Sequence, residues 1–310
     1  MVEVAVAVIL RPDGSFLLAR RPEGKVYAGY WEFPGGKIET GEPPEAALSR
    51  ELHEELGIDV QRAYPWITRV FTYPHAIVRL NFFRVLGWSG EPHPRERQEI
   101  RWQRLGAPIA HPMLPANAPI LAALELPHEY AITTAETLGP DAMLERLEHR
   151  LAAGLRLVQL RDKGLAAGER AEFARRAVAL THHYGARMLV NTDIALARAI
   201  GADGVHYTAH DLLSLSARTM PKGLLTAASC HDGRELEQAM ELELDFVVLG
   251  PVDLTASHLD AKPLGWKGFA AIARGASLPV YAIGGMGRAD LERAWSSGAH
   301  GIAMIRGAWG

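Results

Sequence analysis

The sequence predicts an α/β protein of two domains, the second of which is a parallel (β/α)8 barrel. The chain has 310 residues, more than the ~100–200 of one ordinary domain. Its first half reads as strands around one strong helix, whereas its second half alternates short apolar runs with helical segments. Pro127 and His128 mark the change of pattern, so we expect domains at residues 1–127 and 128–310.

The first half is expected to be a small α/β domain. Alternating apolar residues predict strands at residues 2–10, 15–19, 67–73 and 77–86. The strong helical segment is residues 43–56. Residues 106–119 contain four prolines and are expected to be irregular, with a short apolar helix beginning at Asn117.

The second half contains eight short apolar runs that read as buried strands. Helical patterns such as residues 168–184 and 266–274 separate most of them. The predicted strands are residues 130–134, 157–161, 188–191, 204–207, 225–229, 246–250, 280–283 and 301–305. Eight β/α alternations favour a closed barrel over the alternative, a doubly wound sheet. Five residues follow Ile305, so the last helix of the barrel is expected to be missing.

Composition and charge exclude several classes of function. Lysine and arginine number 33 and acidic residues 36, for a net charge of −3, and neither half is basic. Duplex nucleic acid is therefore not an expected partner. No apolar run reaches the ~18 residues of a membrane span, so no membrane partner is expected. A single cysteine, Cys230, fits a cytoplasmic location. The sequence leaves the oligomeric state open.

Three glutamates in the predicted helix indicate a metal site. Glu51, Glu54 and Glu55 are spaced to lie on one helix face, beside a stripe of leucines that recurs every four residues. Carboxylates that close repel one another, and a hard divalent cation such as Mg²⁺ would neutralise them. Such an ion can bridge a diphosphate and activate a water molecule. The alternative is a solvated acidic face without a ligand.

The segment around these glutamates resembles the Nudix box, G-x5-E-x7-R-E-U-x-E-E-x-G-U, where U is aliphatic. Its fixed positions are filled by Gly36, Glu42, Arg50, Glu51, Leu52, Glu54, Glu55, Gly57 and Ile58. The resemblance implies an α/β/α sandwich that hydrolyses nucleoside diphosphates linked to another moiety. It also implies Mg²⁺ or Mn²⁺ on the three glutamates, with Arg50 pairing with the carboxylates. Gly35 and Gly36 would let the backbone approach the metal or the phosphates closely.

The rest of the first half resembles the MutT branch of this family, which hydrolyses 8-oxo-dGTP to 8-oxo-dGMP and diphosphate. The similarity covers residues 2–125. It runs through the segments LARR (18–21), WEFPGGKIE (31–39), GEP (90–92) and PAN (115–117). The implied role is cleansing of the nucleotide pool, which serves DNA repair and replication fidelity. The resemblance implies a nucleotide as the small-molecule substrate.

The MutT resemblance also implies individual site residues. Asn117 matches the asparagine that reads the oxidised purine, although it could instead cap a helix. Glu96 matches an additional carboxylate that binds metal or acts as a general base, with Glu99 as its competitor. Further metal or substrate contacts are implied for Arg21, Phe33, Gly35, Gly36 and Lys37. Phe33 and its neighbour Trp31 could flank the base or belong to the core.

The second half resembles the superfamily of thiamine phosphate synthase and the thiazole tautomerase TenI, over about residues 129–309. The matching segments are VQLRDK (158–163), GADGVH (201–206), LGPV (249–252) and AIGGM (282–286). They lie at carboxyl ends of predicted strands, where barrel active sites form. The resemblance implies a phosphorylated small molecule as ligand. Its candidate contacts are Arg161, Lys163, Asn191, Gly284, Gly285 and Arg306.

Three departures from the synthase pattern put synthase activity in doubt. Asn191 is followed by Thr192, so that Asp193 comes one place later than the synthase aspartate. Residues 255–258 read Thr-Ala-Ser-His where the synthase has Thr-x-Thr-Lys, and Arg306 replaces a serine. His231 matches the catalytic histidine of the tautomerase. The open alternatives are a tautomerase, a synthase or a non-catalytic sensor, and a thiamine-pathway diphosphate as the Nudix substrate.

Overall fold

The computed structural model of the chain describes residues 1–96, 98–221, 223–254 and 262–310. It divides into two compact units, residues 1–125 and 126–310. This division falls two residues before the boundary expected from the sequence. Within the described residues, none of the helices combines the length and the apolarity that a membrane crossing requires.

The first unit contains two sheets and two α-helices. Its strands are β1 (Val2–Ile9), β2 (Phe16–Arg20), β3 (Trp31–Glu32), β4 (Gly35–Lys37), β5 (Asp59–Tyr73), β6 (Ala76–Ser89) and β7 (Glu99–Gln103). Its helices are α1 (Pro44–Leu56) and α2 (Ala118–Leu124), the latter preceded by a 3-10 turn at Pro115–Asn117. One sheet has the order β4-β1-β6-β5 and the other β3-β2-β7. Strands β1 and β6 are parallel.

Helix α1 is placed by its ends and by its leucine stripe. Pro44 lies in the first turn, where its missing N–H costs nothing, and Gly57 ends the helix in the left-handed conformation at φ 70°. Leu48, Leu52 and Leu56 are fully buried in one core with alternate residues of β1. Each contributes ~1.5–3 kcal/mol through burial. The glutamates of α1 therefore face away from this core.

The second unit is a closed parallel barrel, as the sequence predicts. Its strands are β8 (Glu129–Ile132), β9 (Leu157–Leu160), β10 (Arg187–Asn191), β11 (Gly204–Tyr207), β12 (Leu225–Cys230), β13 (Phe246–Leu249), β14 (Val280–Ile283) and β15 (Gly301–Met304). Strand β15 pairs with β8 and closes the barrel. Each strand overlaps a predicted one, so the doubly wound alternative is wrong.

Helices surround the barrel and separate most of its strands. They are α3 (Ala135–Leu138), α4 (Pro140–Ala152), α5 (Ala167–His183), α6 (Ile194–Ile200), α7 (Ala209–Ser214), α8 (Gly233–Glu241), α9 (Gly265–Ala273) and α10 (Leu291–Ser296). After β15 there is only a 3-10 turn at Arg306–Ala308. The indole of Trp309 then donates to the carbonyl of Ile132 at 2.8 Å, which fixes the segment after β15 against β8.

Large side chains fill the interior of the barrel. Tyr130, Phe246 and Tyr281 are completely buried there, and their ring centroids lie 5.2–5.9 Å apart. The barrel is thus a packed core and not a pore. Free space for a ligand begins only at the carboxyl ends of its strands.

Candidate functional site

Arg50 joins helix α1 to the loop that precedes it. Its Nε and Nη2 donate to the two carboxylate oxygens of Glu42 at 3.0 and 2.9 Å. Nη1 donates to Glu51 at 2.8 Å and lies 3.5 Å from Glu54, and Nη2 also donates to the carbonyl of Lys37 at 3.0 Å. These carboxylates hold the pKa of Arg50 above its usual range. The guanidinium therefore sets the shape of the loop and helix together.

The paired glycines allow close approach of a glutamate at one position and of the backbone of β1 at the other. A Cβ at Gly36 would lie 2.0 Å from the carboxyl carbon of Glu51. At Gly35, which has φ of +146°, a Cβ would lie 2.1 Å from the backbone oxygen of Ala5. The N–H of Gly35 donates to Glu55 at 3.3 Å. Glycine is thus required at both positions, but for different neighbours.

Glu55 lies in an excess of negative charge. Burial, together with the nearby carboxylates of Glu32, Glu96 and Glu51, raises its pKa to about 7, although Lys25 opposes them. Glu32 is also buried, which raises its pKa despite an ion pair with Arg21 at 2.6 Å. The carboxylates have more negative charge than their neighbouring cations balance.

This cluster fits a divalent cation in its chemistry. Within the part of the chain that is described, no three His, Cys, Asp or Glu side chains already form a group that could hold a metal. Glu51 and Glu54 both turn to Arg50 instead. The donors are nevertheless carboxylate oxygens, the hard ligands that Mg²⁺ prefers. A bound cation would also stabilise the charged form of Glu55, whose pKa burial raises.

The two candidate additional carboxylates have different surroundings. Glu96 is half exposed, accepts a hydrogen bond from Lys25 at 3.0 Å and acts electrostatically on Glu55. Glu99 lies on β7 and pairs with Arg20 at 3.3 Å and Arg101 at 2.9 Å. Glu96 is therefore the one of the two that the structure places near the carboxylate of Glu55.

Asn117 is buried with an unused donor. It is 4% exposed, and its amide nitrogen has no hydrogen-bond partner among the residues that the structure describes. Its side chain does not cap α2. The preceding segment pairs with β3, since the N–H of Trp31 donates to Pro112 and the N–H of Leu114 donates to Trp31. An unpaired buried amide costs stability unless a ligand satisfies it.

Phe33 and Lys37 lie in opposite environments. Phe33 is 3% exposed, and its ring packs against Phe16 and Phe82 with centroids 5.9 and 6.3 Å apart. Trp31 is in the same core. Of the two roles considered for these aromatic residues, the structure therefore shows the core role. Lys37 is exposed and contributes its carbonyl to Arg50.

A second site lies at the carboxyl ends of the barrel strands. It is a cavity of about 670 Å³. The predicted contacts that line it are Arg161, Lys163, Asn191, His231, Gly284, Gly285 and Arg306. The structure thus brings together His231 and the six candidate contacts that the resemblance implied.

The cavity is suited to an anion. Gly284 and Gly285 have φ of 108° and 73°, and a Cβ at Gly284 would lie 2.8 Å from Cα of Pro251. Arg306 lines the same cavity, and Arg161 and Lys163 follow β9, which ends at Leu160. None of these three cations forms an ion pair with another described residue. Phosphate is the natural ligand for such a set of donors.

His206 is a residue of this cavity that was not predicted as a site residue. It is completely buried, and its Nε2 lies 2.9 Å from Oγ of Ser229 and its Nδ1 3.2 Å from the hydroxyl of Tyr130. Burial lowers its pKa to about 3, with a further contribution from Arg161. The ring is therefore neutral and offers one donor and one acceptor at the floor of the cavity. Its place at the end of a predicted strand was the available signal.

The departures from the synthase pattern have structural counterparts. Asp193 caps α6 through the N–H of Leu196 at 2.9 Å and pairs with Arg170 at 3.1 Å, so it does not line the cavity. Thr192 has φ of 66° and donates to Asp211 at 3.1 Å. Residues 255–258 lie outside the described residues.

His231 has an acidic partner. Its Nδ1 lies 2.9 Å from Oε2 of Glu235, which also accepts from the backbone N–H of His231 at 2.5 Å. This contact fixes the ring so that Nε2 is the nitrogen left for a ligand.

Comparisons with known proteins match the two units separately. Residues 129–308 match the family model described as thiamine monophosphate synthase, and residues 5–123 match the NUDIX domain model. A putative thiamine-phosphate synthase 2 of Aquifex aeolicus is 35% identical over 59% of this chain and 97% of its own length. An 8-oxo-dGTP diphosphatase of Haemophilus influenzae is 41% identical over 39% of this chain and 89% of its own. The chain therefore belongs to the thiamine monophosphate synthase/TenI family and carries an N-terminal, MutT-like Nudix hydrolase domain.

Proposed function

We propose that the first unit hydrolyses 8-oxo-dGTP to 8-oxo-dGMP and diphosphate. The observation that carries this proposal is the buried amide of Asn117, whose nitrogen lacks a partner among the described residues. An amide can donate and accept together, so it can pair with both the carbonyl and the N–H that oxidation adds to the purine. The similarity to the Haemophilus influenzae diphosphatase supports the same substrate. Removal of the oxidised nucleotide would protect replication fidelity.

The proposed hydrolysis assigns a separate role to each group of residues in the first unit. Glu51, Glu54 and Glu55 would hold Mg²⁺ or Mn²⁺ with the backbone of Gly35. The bound ion would neutralise the phosphates and lower the pKa of the attacking water. Glu96 is placed to accept the proton of that water, since it lies close enough to Glu55 to raise its pKa. Most of the acceleration would come from positioning and charge neutralisation.

A hydrolysis panel tests the proposed substrate. The full chain with Mg²⁺ should release diphosphate from 8-oxo-dGTP in preference to dGTP, ADP-ribose and thiamine-pathway diphosphates. Equal kcat/KM for 8-oxo-dGTP and dGTP would remove the proposal. The second candidate substrate is a thiamine-pathway diphosphate, which the match of residues 129–308 to the synthase family favours. Preference for such a diphosphate in the panel would establish that candidate instead.

Asn117→Ala should reduce the preference for the oxidised nucleotide without impairing the hydrolysis step. We expect the preference for 8-oxo-dGTP over dGTP, measured as a ratio of kcat/KM, to fall ~10–100-fold, as for one or two lost hydrogen bonds in a buried site. Turnover of dGTP should change little. Thermal stability should not fall by the amount typical of a lost paired amide, because the nitrogen has no partner among the described residues. An unchanged ratio would separate Asn117 from base recognition.

For the barrel we propose binding of a phosphorylated small molecule related to the thiazole of thiamine. The observation that carries this proposal is the cavity lined by Gly284, Gly285 and Arg306, whose guanidinium forms no ion pair with the described residues. The use of Asp193 as a helix cap counts against its serving as the aspartate of the synthase pattern and hence against synthase activity. Tautomerisation that His231→Ala abolishes would favour an enzyme, and binding without turnover would favour a sensor.

Arg306→Ala should weaken the binding of thiazole phosphate to the full chain ~10–100-fold, the effect of one charge-assisted hydrogen bond. Calorimetric titration measures this change. Arg274→Ala is the matched control, since Arg274 is an exposed cation just after α9, at the opposite end of the barrel. Equal affinities for the wild type and Arg306→Ala would show that the guanidinium does not contact the phosphate.

A further inference from the structure

The loop between β2 and β3, residues 21–30, is closed on itself. The N–H of Arg21 donates to the carbonyl of Tyr30, and the N–H of Gly29 donates to the carbonyl of Arg21, both at 2.9 Å. The side chain of Arg21 also donates from Nε to the carbonyl of Val26 at 2.7 Å. These bonds give the loop a defined shape although it projects from the sheet.

Aromatic contacts fix where this loop points. The ring of Tyr27 lies 5.2 Å from that of Tyr30, 5.5 Å from that of Tyr73 and 6.1 Å from that of His75. Tyr73 and His75 belong to the tip of the hairpin formed by β5 and β6. Tyr27 has φ of 59°, a conformation that a tyrosine adopts only when its surroundings require it. The packing at the hairpin tip therefore holds the loop over the site.

In this position the loop directs Lys25 to the carboxylates of the Nudix site. Its Nζ lies 3.0 Å from Oε2 of Glu96. Its charge also lowers the pKa of Glu32 and of Glu55. The lysine thus lies close to the carboxylate cluster, although it comes from a different part of the chain.

Lys25 differs from the two arginines of this site in how firmly it is held. Arg50 donates to three carboxylates and a carbonyl, and Arg21 donates to Glu32 and a carbonyl. Lys25 has a single partner among the described residues, and the side chains of Lys25 and Glu96 are 49% and 45% exposed. Such exposed ion pairs contribute little to stability. Lys25 is therefore the cation of the site that can change partners at little cost.

We propose that Lys25 binds the polyphosphate of the substrate in the Nudix site. In the free protein it pairs with Glu96, and in the complex it moves to a phosphate oxygen, which frees Glu96. A polyphosphate presents several charged oxygens to one ammonium group, so it competes well with a single exposed carboxylate. The inference rests on the proposed function, because it takes a nucleotide polyphosphate as the ligand.

The test is Lys25→Met in the full chain with Mg²⁺. We expect KM for 8-oxo-dGTP to rise ~10–100-fold, as for one lost charge-assisted hydrogen bond. Inhibition by inorganic diphosphate should weaken by a similar factor, whereas the affinity for 8-oxo-dGMP should fall much less. Lys25→Arg should restore most of the loss. Since Lys25 is exposed, the melting temperature should stay near that of the wild type.

Arg104→Met is the matched control. Arg104 is also an exposed cation paired with an exposed carboxylate, that of Asp13, but it lies at the far end of the β3-β2-β7 sheet. It should leave KM and diphosphate inhibition unchanged. An equal loss of affinity for 8-oxo-dGMP and diphosphate, or an unchanged KM in Lys25→Met, would overturn the proposal. If the wild type turned over no nucleotide, the proposed function would fail, and calorimetry with inorganic diphosphate would still test Lys25.

Discussion

Glu54→Gln is expected to lower kcat for 8-oxo-dGTP ~10³-fold or more without unfolding the first unit. The glutamine keeps the shape of the side chain but removes the charge that would hold the metal. Glu54 is 56% exposed, and its ion pair with Arg50 is long, at 3.5 Å. Removal of its charge should therefore cost little stability. Steady-state kinetics with Mg²⁺ and a thermal melt of the same preparation measure the two effects.

Glu45→Gln is the matched control for this variant. Glu45 is an exposed carboxylate in the first turn of the same helix. It should retain wild-type kcat, which would show that the loss in Glu54→Gln does not come from charge removal anywhere on α1. A Glu54→Gln enzyme with unchanged kcat would refute the metal site on this helix face.

Gly36→Ala is expected to abolish most activity, with a fall in kcat of ~10²–10³-fold, while the fold persists. The added Cβ would lie 2.0 Å from the carboxyl carbon of Glu51, so this carboxylate has to move away. The carboxylate is the end of a flexible side chain, and Gly36 does not have the positive φ that excludes alanine. The substitution should therefore lower activity by displacing Glu51, without straining the backbone.

Gly35→Ala provides the contrast. Its Cβ would meet the backbone oxygen of Ala5 at 2.1 Å, and the residue has φ of +146°. Neither feature can relax without moving β1, so we expect the free energy of unfolding to fall by at least ~2 kcal/mol. Chemical denaturation of both variants distinguishes them. A Gly36→Ala variant as unstable as Gly35→Ala would show that both glycines serve only the fold.

The elements that the sequence predicted well are those with strong local signals. Helix α1 has proline at its start, glycine after its end and leucines at a fixed interval, and it begins one residue after the predicted start. The barrel strands are short apolar runs buried on both sides, a pattern that depends little on their neighbours. Their order round the barrel follows from chain order, because each helix returns the chain to the adjacent strand.

Other strands could not be predicted because pairing alone creates them. Strands β3 and β4 contain two and three residues, and glycines occupy two positions of β4. They become strands by bonding to β2 and β1. Strand β5 begins at Asp59, eight residues before the predicted start, because its polar first part lacks the alternation of a half-buried strand. Tertiary contacts therefore determine where these strands form.

The sites show the same division. The spacing of a motif predicted Arg50 and the glutamates of α1 as site residues. The ends of the predicted strands indicated the residues of the barrel cavity. Lys25 and Glu32 were missed because only folding brings them to the carboxylates, Lys25 from the loop between β2 and β3 and Glu32 from β3. The core location of Phe33 was equally undecided, since an aromatic residue in a strand suits a core and a binding pocket alike.

The left-handed backbone at Thr192 bears on how the barrel could change over evolution. A β-branched residue is unfavourable at φ of 66°, whereas aspartate tolerates this region well. Thr192→Asp would therefore relieve the backbone and recreate the Asn-Asp pair of the synthase pattern. Because Oγ of Thr192 already lies 3.1 Å from Asp211, the new carboxylate would face an existing one and call for a cation between them. A single residue replacement just after β10 would thus bring two carboxylates together, by a route that folding favours.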